Sequence, residues 1–183
     1  GDNPFLWEKR DGAYRPWSWR RVAREAGLLA RALRQLGLEP GDRVVLVAEN
    51  RPEWCITDLA ILAAGGITVP AYTTNTERDH SYILGHSEAR MVVCAGHGLA
   101  RRLIPAIRES PSVKALLFME PLADPGELPV TAMTWADALA LGERSPEVPG
   151  SAAIQPDDVA CFIYTSGTGG TPKGVMQTHR NIL

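Results

Sequence analysis

The chain has 183 residues and a mass of 19.9 kDa, which is enough for one domain with a sizeable buried core. It is 45% apolar and 22% charged, and 19 basic against 21 acidic residues leave a net charge of -2. These values exclude a disordered chain and a strongly basic nucleic-acid-binding protein. We expect neither a secretory signal nor a membrane-spanning segment, because no apolar run is long enough. Three separate cysteines without a C-x-x-C pair favour a reduced, cytoplasmic protein.

The first element that the sequence predicts is an amphipathic helix. Apolar residues recur at alternating spacings of four and three from Val22 to Leu36. Ser18 is placed to cap the start of this helix, and Gly37 can adopt the left-handed conformation that ends it. We assign the arginines of this segment to a solvated helix face, because a net charge of -2 argues against a nucleic-acid surface.

Short apolar runs then alternate with helical segments. The runs are continuous, which is typical of strands buried on both faces of a parallel sheet, and they cover residues 43–48, 67–70, 90–94, 114–118 and 159–164. Helices are predicted from a cap at Asn50 to residue 64, from a cap at Thr76 to Leu84, and around 99–107, where Pro105 implies a kink. The pattern predicts an α/β fold with a doubly wound, mostly parallel sheet and helices on both faces.

Residues 121–150 differ from the rest, because five prolines and three glycines lie among them. This composition predicts an irregular connection. Within it a short helix is predicted over 134–141, with Thr134 as its cap. The connection leads into the predicted strand 159–164.

Residues 165–174 read TSGTGGTPKG, directly after that strand. Glycines let backbone N–H groups approach oxygen atoms closely, hydroxyls add donors, and Lys173 adds a positive charge. Because ligands of open α/β sheets bind at the carboxyl ends of the strands, the stretch predicts an anion-binding loop. It is not a Walker A loop, since Lys173 follows Pro172 and precedes Gly174. A dinucleotide-binding glycine motif is also missing after the first predicted strand.

The longer string YTSGTGGTPKGVMQTH, residues 164–179, resembles the phosphate-binding signature of the adenylate-forming (AMP-binding) ligase superfamily. Residues 41–54, 59–76 and 82–93 are similar to the opening of long-chain fatty acid-CoA ligases in particular. The signature usually has a threonine where this chain has Gly169, so we expect a more mobile loop with one hydroxyl fewer. The resemblance implies that residues 1–183 form the incomplete N-terminal portion of the large AMP-binding domain, with the C-terminal lid domain absent.

The resemblance also implies a reaction, in which ATP activates a fatty acid to an acyl-adenylate and the acyl group then forms a thioester with coenzyme A. ATP, the fatty acid and coenzyme A would be the small-molecule substrates, with magnesium accompanying ATP. The residues implied to bind the ATP phosphates are Thr165, Ser166, Gly167, Thr168, Gly169, Gly170, Thr171 and Lys173. Thr165 is the candidate magnesium ligand. The resemblance implies no catalytic residue within this sequence, and we expect residues 1–183 alone not to complete the reaction.

Other polar and aromatic side chains are expected to have structural roles. His179 is expected to cap or pack at a helix start, while His80, His86 and His97 show no metal-ligand spacing and are expected at the surface or in turns. Asp58 is expected at a solvated helix edge. Trp17 and Trp19 are expected to cover the first helix.

Several alternatives stay open from the sequence. The chain could belong to an adenylation domain for another carboxylate (aryl, amino acid or luciferin-like), or it could be a non-catalytic phosphate-binding module. A nucleic-acid partner is not expected. Peripheral membrane contact and a homodimer are both compatible with the sequence.

Overall fold

The computed structural model describes residues 1–121, 127–148, 154–165 and 171–182. Its centre is a seven-stranded sheet with the strand order β7-β6-β5-β3-β4-β8-β9. The strands of this sheet are β3 (Arg43–Val47), β4 (Ile67–Pro70), β5 (Met91–Cys94), β6 (Ala115–Phe118), β7 (Thr131–Thr134), β8 (Val159–Thr165) and β9 (Lys173–Thr178). All neighbouring pairs are parallel except β8 and β9, which form an antiparallel hairpin. The predicted fold class, a mostly parallel α/β sheet, is confirmed.

Helices lie on both faces of this sheet. They are α1 (Trp19–Gln35), α2 (Pro52–Ala63), α3 (Glu77–Ser87), α4 (His97–Arg108), α5 (Trp135–Glu143) and the short α6 (His179–Ile182). Helix α1 lies against α2 and α5, whereas α3 lies against α4. The connections from β3 to β4 and from β4 to β5 run in opposite directions along the sheet. Since both crossovers are expected to be right-handed, α2 and α3 lie on opposite faces, as a doubly wound fold requires.

The caps predicted for three helices are present. The Ser18 hydroxyl accepts a hydrogen bond from the backbone N–H of Arg21 at the start of α1, and Gly37 has a φ of 91° just beyond its end. Thr76 and Asp79 form a reciprocal capping box on α3. Thr134 caps α5 in the same way that Ser18 caps α1. These short-range contacts fix where the helices begin because they satisfy N–H groups that have no partner within the helix.

The cap predicted for α2 is wrong. Arg51, not Asn50, is the residue before the first helical position, and it makes no side-chain capping bond. Arg51 precedes Pro52, and the proline ring excludes the helical conformation for the residue before it. Arg51 therefore stays extended, with φ -151° and ψ 157°, and the helix begins at Pro52.

Four strands of the structure were not predicted from the sequence. Strands β1 (Pro4–Arg10) and β2 (Ala13–Ser18) form a separate antiparallel hairpin before α1. Its turn contains Asp11 and Gly12, which both have positive φ and so fit the turn type that matches strand twist. Strand β7 lies within the stretch predicted as irregular, and β9 follows the predicted anion-binding loop.

Candidate functional site

The predicted anion-binding loop is flanked by the two strands of the β8–β9 hairpin. Strand β8 runs parallel to β4, so its last residue, Thr165, lies at the carboxyl edge of the sheet. Thr165 is paired with Lys173, the first residue of β9. The predicted phosphate-binding residues 166–170 (Ser166, Gly167, Thr168, Gly169 and Gly170) lie outside the described residues. The structure therefore places the two ends of the loop side by side at the edge where α/β sheets bind ligands.

The side chains at these two ends are accessible. Thr165, Thr171 and Lys173 are exposed. Within the described part of the chain, the Lys173 ammonium makes no ion pair or side-chain hydrogen bond. An unpaired ammonium beside exposed hydroxyls can bind an anion without first breaking a contact within the protein. The arrangement suits a phosphate group, which takes both kinds of donor.

Helix α3 supports the hairpin from one side. The Tyr82 hydroxyl donates a hydrogen bond to the carbonyl of Pro172 at 2.8 Å, immediately before Lys173. At the other strand, the Tyr164 hydroxyl lies 2.8 Å from Nδ1 of His86. Burial raises the pKa of the Tyr164 phenol above its ordinary value of 10, so the hydroxyl is protonated at neutral pH with or without this shift. The prediction put His86 at the surface; it is exposed there, but it also contacts the hairpin.

A separate crevice lies beyond the carboxyl end of β3, next to β1. It has a volume of about 540 Å³ and is lined by residues 6–9 of β1, residues 49–52, Trp54, Cys55 and Glu120. Arg51 lines this crevice and forms ion pairs with Glu53 and Glu120. Burial works to lower the pKa of the Arg51 guanidinium, but its hydrogen bonds to the two carboxylates outweigh burial and raise it. Because Arg51 is already neutralised, the hairpin is the better anion site of the two.

Of the other three histidines, His179 and His97 lie where they were expected, whereas His80 does not. The His179 backbone N–H donates to the carbonyl of Asp158 at 3.0 Å, at the start of α6. His97 is exposed at the start of α4. His80, expected at the surface, is only 2% exposed and its Nδ1 atom has no hydrogen-bond partner in the described structure. Burial lowers the pKa of His80 to about 4, and the charge of Arg102 adds to this effect.

The expectation for Asp58 is also wrong. It lies half-buried on α2, and burial raises the pKa of its carboxyl group. Burial raises the pKa of the Cys55 and Cys161 thiols, and the negative charge of Asp58 raises both further. All three cysteines are unpaired, as predicted. The described residues nevertheless contain no group of three or more His, Cys, Asp or Glu side chains that could hold a metal ion.

Trp17 at the end of β2 and Trp19 at the start of α1 do not form one platform. Trp17 is 6% exposed and belongs to the core, whereas Trp19 is half-exposed and stacks on Phe5 of β1 with a centroid distance of 3.6 Å. Both cover the start of α1, as predicted. Of the helices in the described part of the chain, none combines the length and the apolar character needed to cross a membrane.

Comparison with known proteins adds an independent line of evidence. A family model described as AMP-binding enzyme matches residues 1–183. Fatty acyl-CoA synthetase A of Dictyostelium discoideum is 31% identical over 193 aligned positions, which include 100% of this chain and 28% of that protein. The long-chain-fatty-acid–CoA ligase FadD15 of Mycobacterium tuberculosis is 34% identical over 173 positions, which include 94% of this chain and 28% of that protein. The chain thus spans under a third of the length of these relatives.

A solved structure agrees with the sequence relatives. The anthranilate CoA ligase AuaEII, solved in complex with anthranoyl-AMP, is 26% identical to this chain and matches it with a TM-score of 0.76. The match covers 91% of this chain and 30% of that protein.

Proposed function

The chain belongs to the AMP-binding enzyme family, and on that premise we propose that residues 1–183 are the N-terminal portion of the AMP-binding domain of a fatty acid-CoA ligase. The ligase activates a fatty acid with ATP to an acyl-adenylate and then forms the thioester with coenzyme A. The names of the two sequence relatives support a long-chain fatty acid as substrate. Their length supports a protein in which further domains, including a lid, complete the site. A cytoplasmic location remains a prediction.

One observation carries the proposal for the site: exposed Thr165 and Lys173, whose ammonium has no ion-pair partner among the described residues, are cross-strand neighbours where the glycine-rich loop begins and ends. In the first reaction step, a carboxylate oxygen of the fatty acid attacks the α-phosphorus of ATP. The bond from that phosphorus to the bridging oxygen breaks, and pyrophosphate leaves with the negative charge. The loop residues 165–171 and Lys173 bind the leaving polyphosphate and stabilise that charge.

Magnesium fits this arrangement as a companion of ATP. It usually keeps several waters and binds through substrate phosphates with one or two protein oxygens. The exposed Thr165 hydroxyl is such an oxygen, and the described residues offer no carboxylate cluster that would hold the ion without ATP. When bound, magnesium would neutralise charge on the leaving pyrophosphate. We assign none of the described residues to the thioester step, in which the thiol of coenzyme A displaces AMP from the acyl carbonyl.

The test uses the full-length protein that contains this chain. The protein is incubated with ATP, magnesium and hydroxylamine, which traps an acyl-adenylate as a hydroxamate. The acids compared are palmitate, octanoate, acetate, benzoate and an amino acid. We expect hydroxamate with palmitate in preference to the others. Preference for benzoate or the amino acid would replace the fatty acid by another carboxylate, and no hydroxamate with any acid would leave a phosphate-binding module without this catalytic activity.

The role of Lys173 is tested by Lys173→Met, which keeps the side-chain length and removes the charge. We expect kcat/KM for ATP to fall about 100-fold, as when one donor to a developing charge is removed. Lys114→Met is the matched control, because Lys114 is exposed and lies at the amino end of β6, at the opposite edge of the sheet. Equal activity of the two variants would refute the assignment of Lys173. Residues 1–183 alone are expected to give no hydroxamate.

A further inference from the structure

We infer that Tyr82 is a positioning residue that holds the end of the phosphate-binding loop in the orientation that receives the polyphosphate of ATP. The inference rests on the proposed function and deepens it, since it assigns a residue that positions the chain where the loop ends. Tyr82 lies on α3, and its distance in sequence from Pro172 is 90 residues.

The first observation is the hydrogen bond from Tyr82 to the loop end. Its hydroxyl donates to the Pro172 carbonyl at 2.8 Å. That carbonyl and the N–H of Lys173 belong to one planar peptide unit. A bond that fixes the direction of the carbonyl therefore also fixes the direction in which the chain enters Lys173, the residue that supplies the positive charge.

The second observation is a ring cluster that holds the other end. Tyr82 and His86 are four residues apart on α3, so they share one helix face, and their rings stack with centroids 5.3 Å apart. Both rings meet the edge of Tyr164 at near right angles, with centroid distances of 6.2 Å for Tyr82 and 5.6 Å for His86. Tyr164 immediately precedes Thr165. One helix thus contacts the chain just before the loop and just after it.

The third observation is the close packing of the hairpin beneath this cluster. Tyr164 is only 6% exposed, and its cross-strand partner is Gly174. A Cβ atom at position 174 would lie 3.3 Å from Cζ of the Tyr164 ring, which is tighter than most real contacts. The ring therefore lies over the glycine, and a larger residue would push it toward α3. The capping box of Thr76 and Asp79 anchors the start of that helix.

These contacts hold both loop ends against one rigid element before ATP binds. A loop whose ends are already fixed loses less conformational entropy on binding than a free one. Removing the Tyr82 hydroxyl should free the Pro172 peptide unit without removing the ring. The expected consequence is weaker binding of the polyphosphate, with little effect on binding of the fatty acid.

The experiment compares Tyr82→Phe with the wild-type full-length protein. Tyr14→Phe serves as the matched control, because Tyr14 is 67% exposed on β2. We expect the Kd for ATP and for pyrophosphate, measured by titration calorimetry, to rise about two- to tenfold in Tyr82→Phe, as for loss of one hydrogen bond. The KM for ATP should rise by the same factor while the KM for the fatty acid stays unchanged. His86→Leu, which releases the Tyr164 end instead, should act in the same direction.

A second readout does not depend on activity. Amide hydrogen exchange of the hairpin peptides, recorded without ATP, should be faster in Tyr82→Phe and unchanged in Tyr14→Phe. If the wild-type protein binds ATP and Tyr82→Phe changes neither the amide exchange of the hairpin nor the Kd for ATP, this inference is overturned but the proposed function is not. Wild-type protein that binds neither ATP nor pyrophosphate would overturn the proposed function and this inference with it. Equal increases in both KM values would indicate a general structural role for Tyr82 and would also overturn it.

Discussion

Helices α1 and α5 approach each other so closely that a glycine is required between them. Gly142 lies near the end of α5, and a Cβ atom there would be 2.0 Å from the carbonyl oxygen of Leu28 and 2.7 Å from its carbonyl carbon. Real Cβ atoms essentially never come within 3.0 Å of such atoms. Because both contact atoms belong to a helix backbone, no side-chain rotation can relieve the clash. In Gly142→Ala, α5 would have to move about 1 Å away from α1.

The cost of that movement can be set against the gain in helix propensity. Overpacking a well-filled contact costs about 1–3 kcal/mol, and Ala138, one turn earlier on α5, is completely buried and would also lose its contacts. Alanine is favoured over glycine by up to about 1 kcal/mol in a helix interior, and by less near a helix end. We expect Gly142→Ala to lower the free energy of unfolding by about 2 kcal/mol.

Gly27→Ala is the control for this prediction. Gly27 lies inside α1, and no described atom comes within 4 Å of a Cβ added there. This substitution should stabilise the protein by about 0.5–1 kcal/mol through helix propensity alone. Urea denaturation followed by tryptophan fluorescence gives both values, and amide hydrogen exchange of α1 and α5 shows where the change acts. Stabilisation by Gly142→Ala equal to that by Gly27→Ala would refute the close approach of the two helices.

Three further predictions concern the capping box and two buried ionisable groups. Thr76→Ala should lower the free energy of unfolding by about 1 kcal/mol in urea denaturation, because the backbone N–H of Asp79 loses the Thr76 hydroxyl as its acceptor, whereas Thr74→Ala on the exposed preceding loop should change it little. Burial lowers the pKa of His80 from 6.5 to about 4, so the unfolded chain binds a proton at a higher pH than the folded chain does. As the pH is lowered from 6.5 to 4, the free energy of unfolding of the wild-type protein should therefore fall by up to about 3 kcal/mol. His80→Leu should lack that decline, and parallel pH curves would contradict the argument. Burial raises the pKa of Asp58 above its ordinary value of 3.8 and outweighs the opposing hydrogen bond with Thr68, so Asp58→Asn should stabilise the protein at pH 7, with a gain that disappears below pH 3.8; lower stability of the variant at pH 7 would contradict this balance.

Five strands of the central sheet, β3, β4, β5, β6 and β8, could be predicted because their sequence pattern is strong and local. A continuous apolar run bounded by glycine or proline needs no knowledge of its neighbours, and caps such as Thr76 lie three residues from their partners. The hairpin of β1 and β2 lacks such a pattern, since most of its residues are exposed. Its one clear local signal is the Asp11-Gly12 pair, which is typical of a hairpin turn.

The two wrong expectations about ionisable side chains have different causes. His80 falls on the same helical series as Ile83, Leu84 and Ser87, all of which are buried, so spacing alone could have placed it inside. Asp58 lies on a helix that is apolar on nearly all sides, and such a helix has little solvated surface on which to place a carboxylate. In both cases the apolar neighbours on the helix were better evidence than the polarity of the residue itself.

The proposed site shows the limit of sequence reasoning most clearly. The loop composition in 165–174 is a local signal, but the support for the loop depends on the order of the strands. After β7, at one edge of the sheet, the chain crosses to the other side, where β8 pairs with β4. The pairing of β8 with β4 brings α3, which follows β4 in the chain, beside the β8–β9 hairpin. As a result Tyr82 contacts Pro172. No pattern within either segment encodes this step, because a strand's neighbours are chosen by packing of the whole sheet. A residue that positions the loop can therefore lie 90 positions away in sequence and still contact it directly.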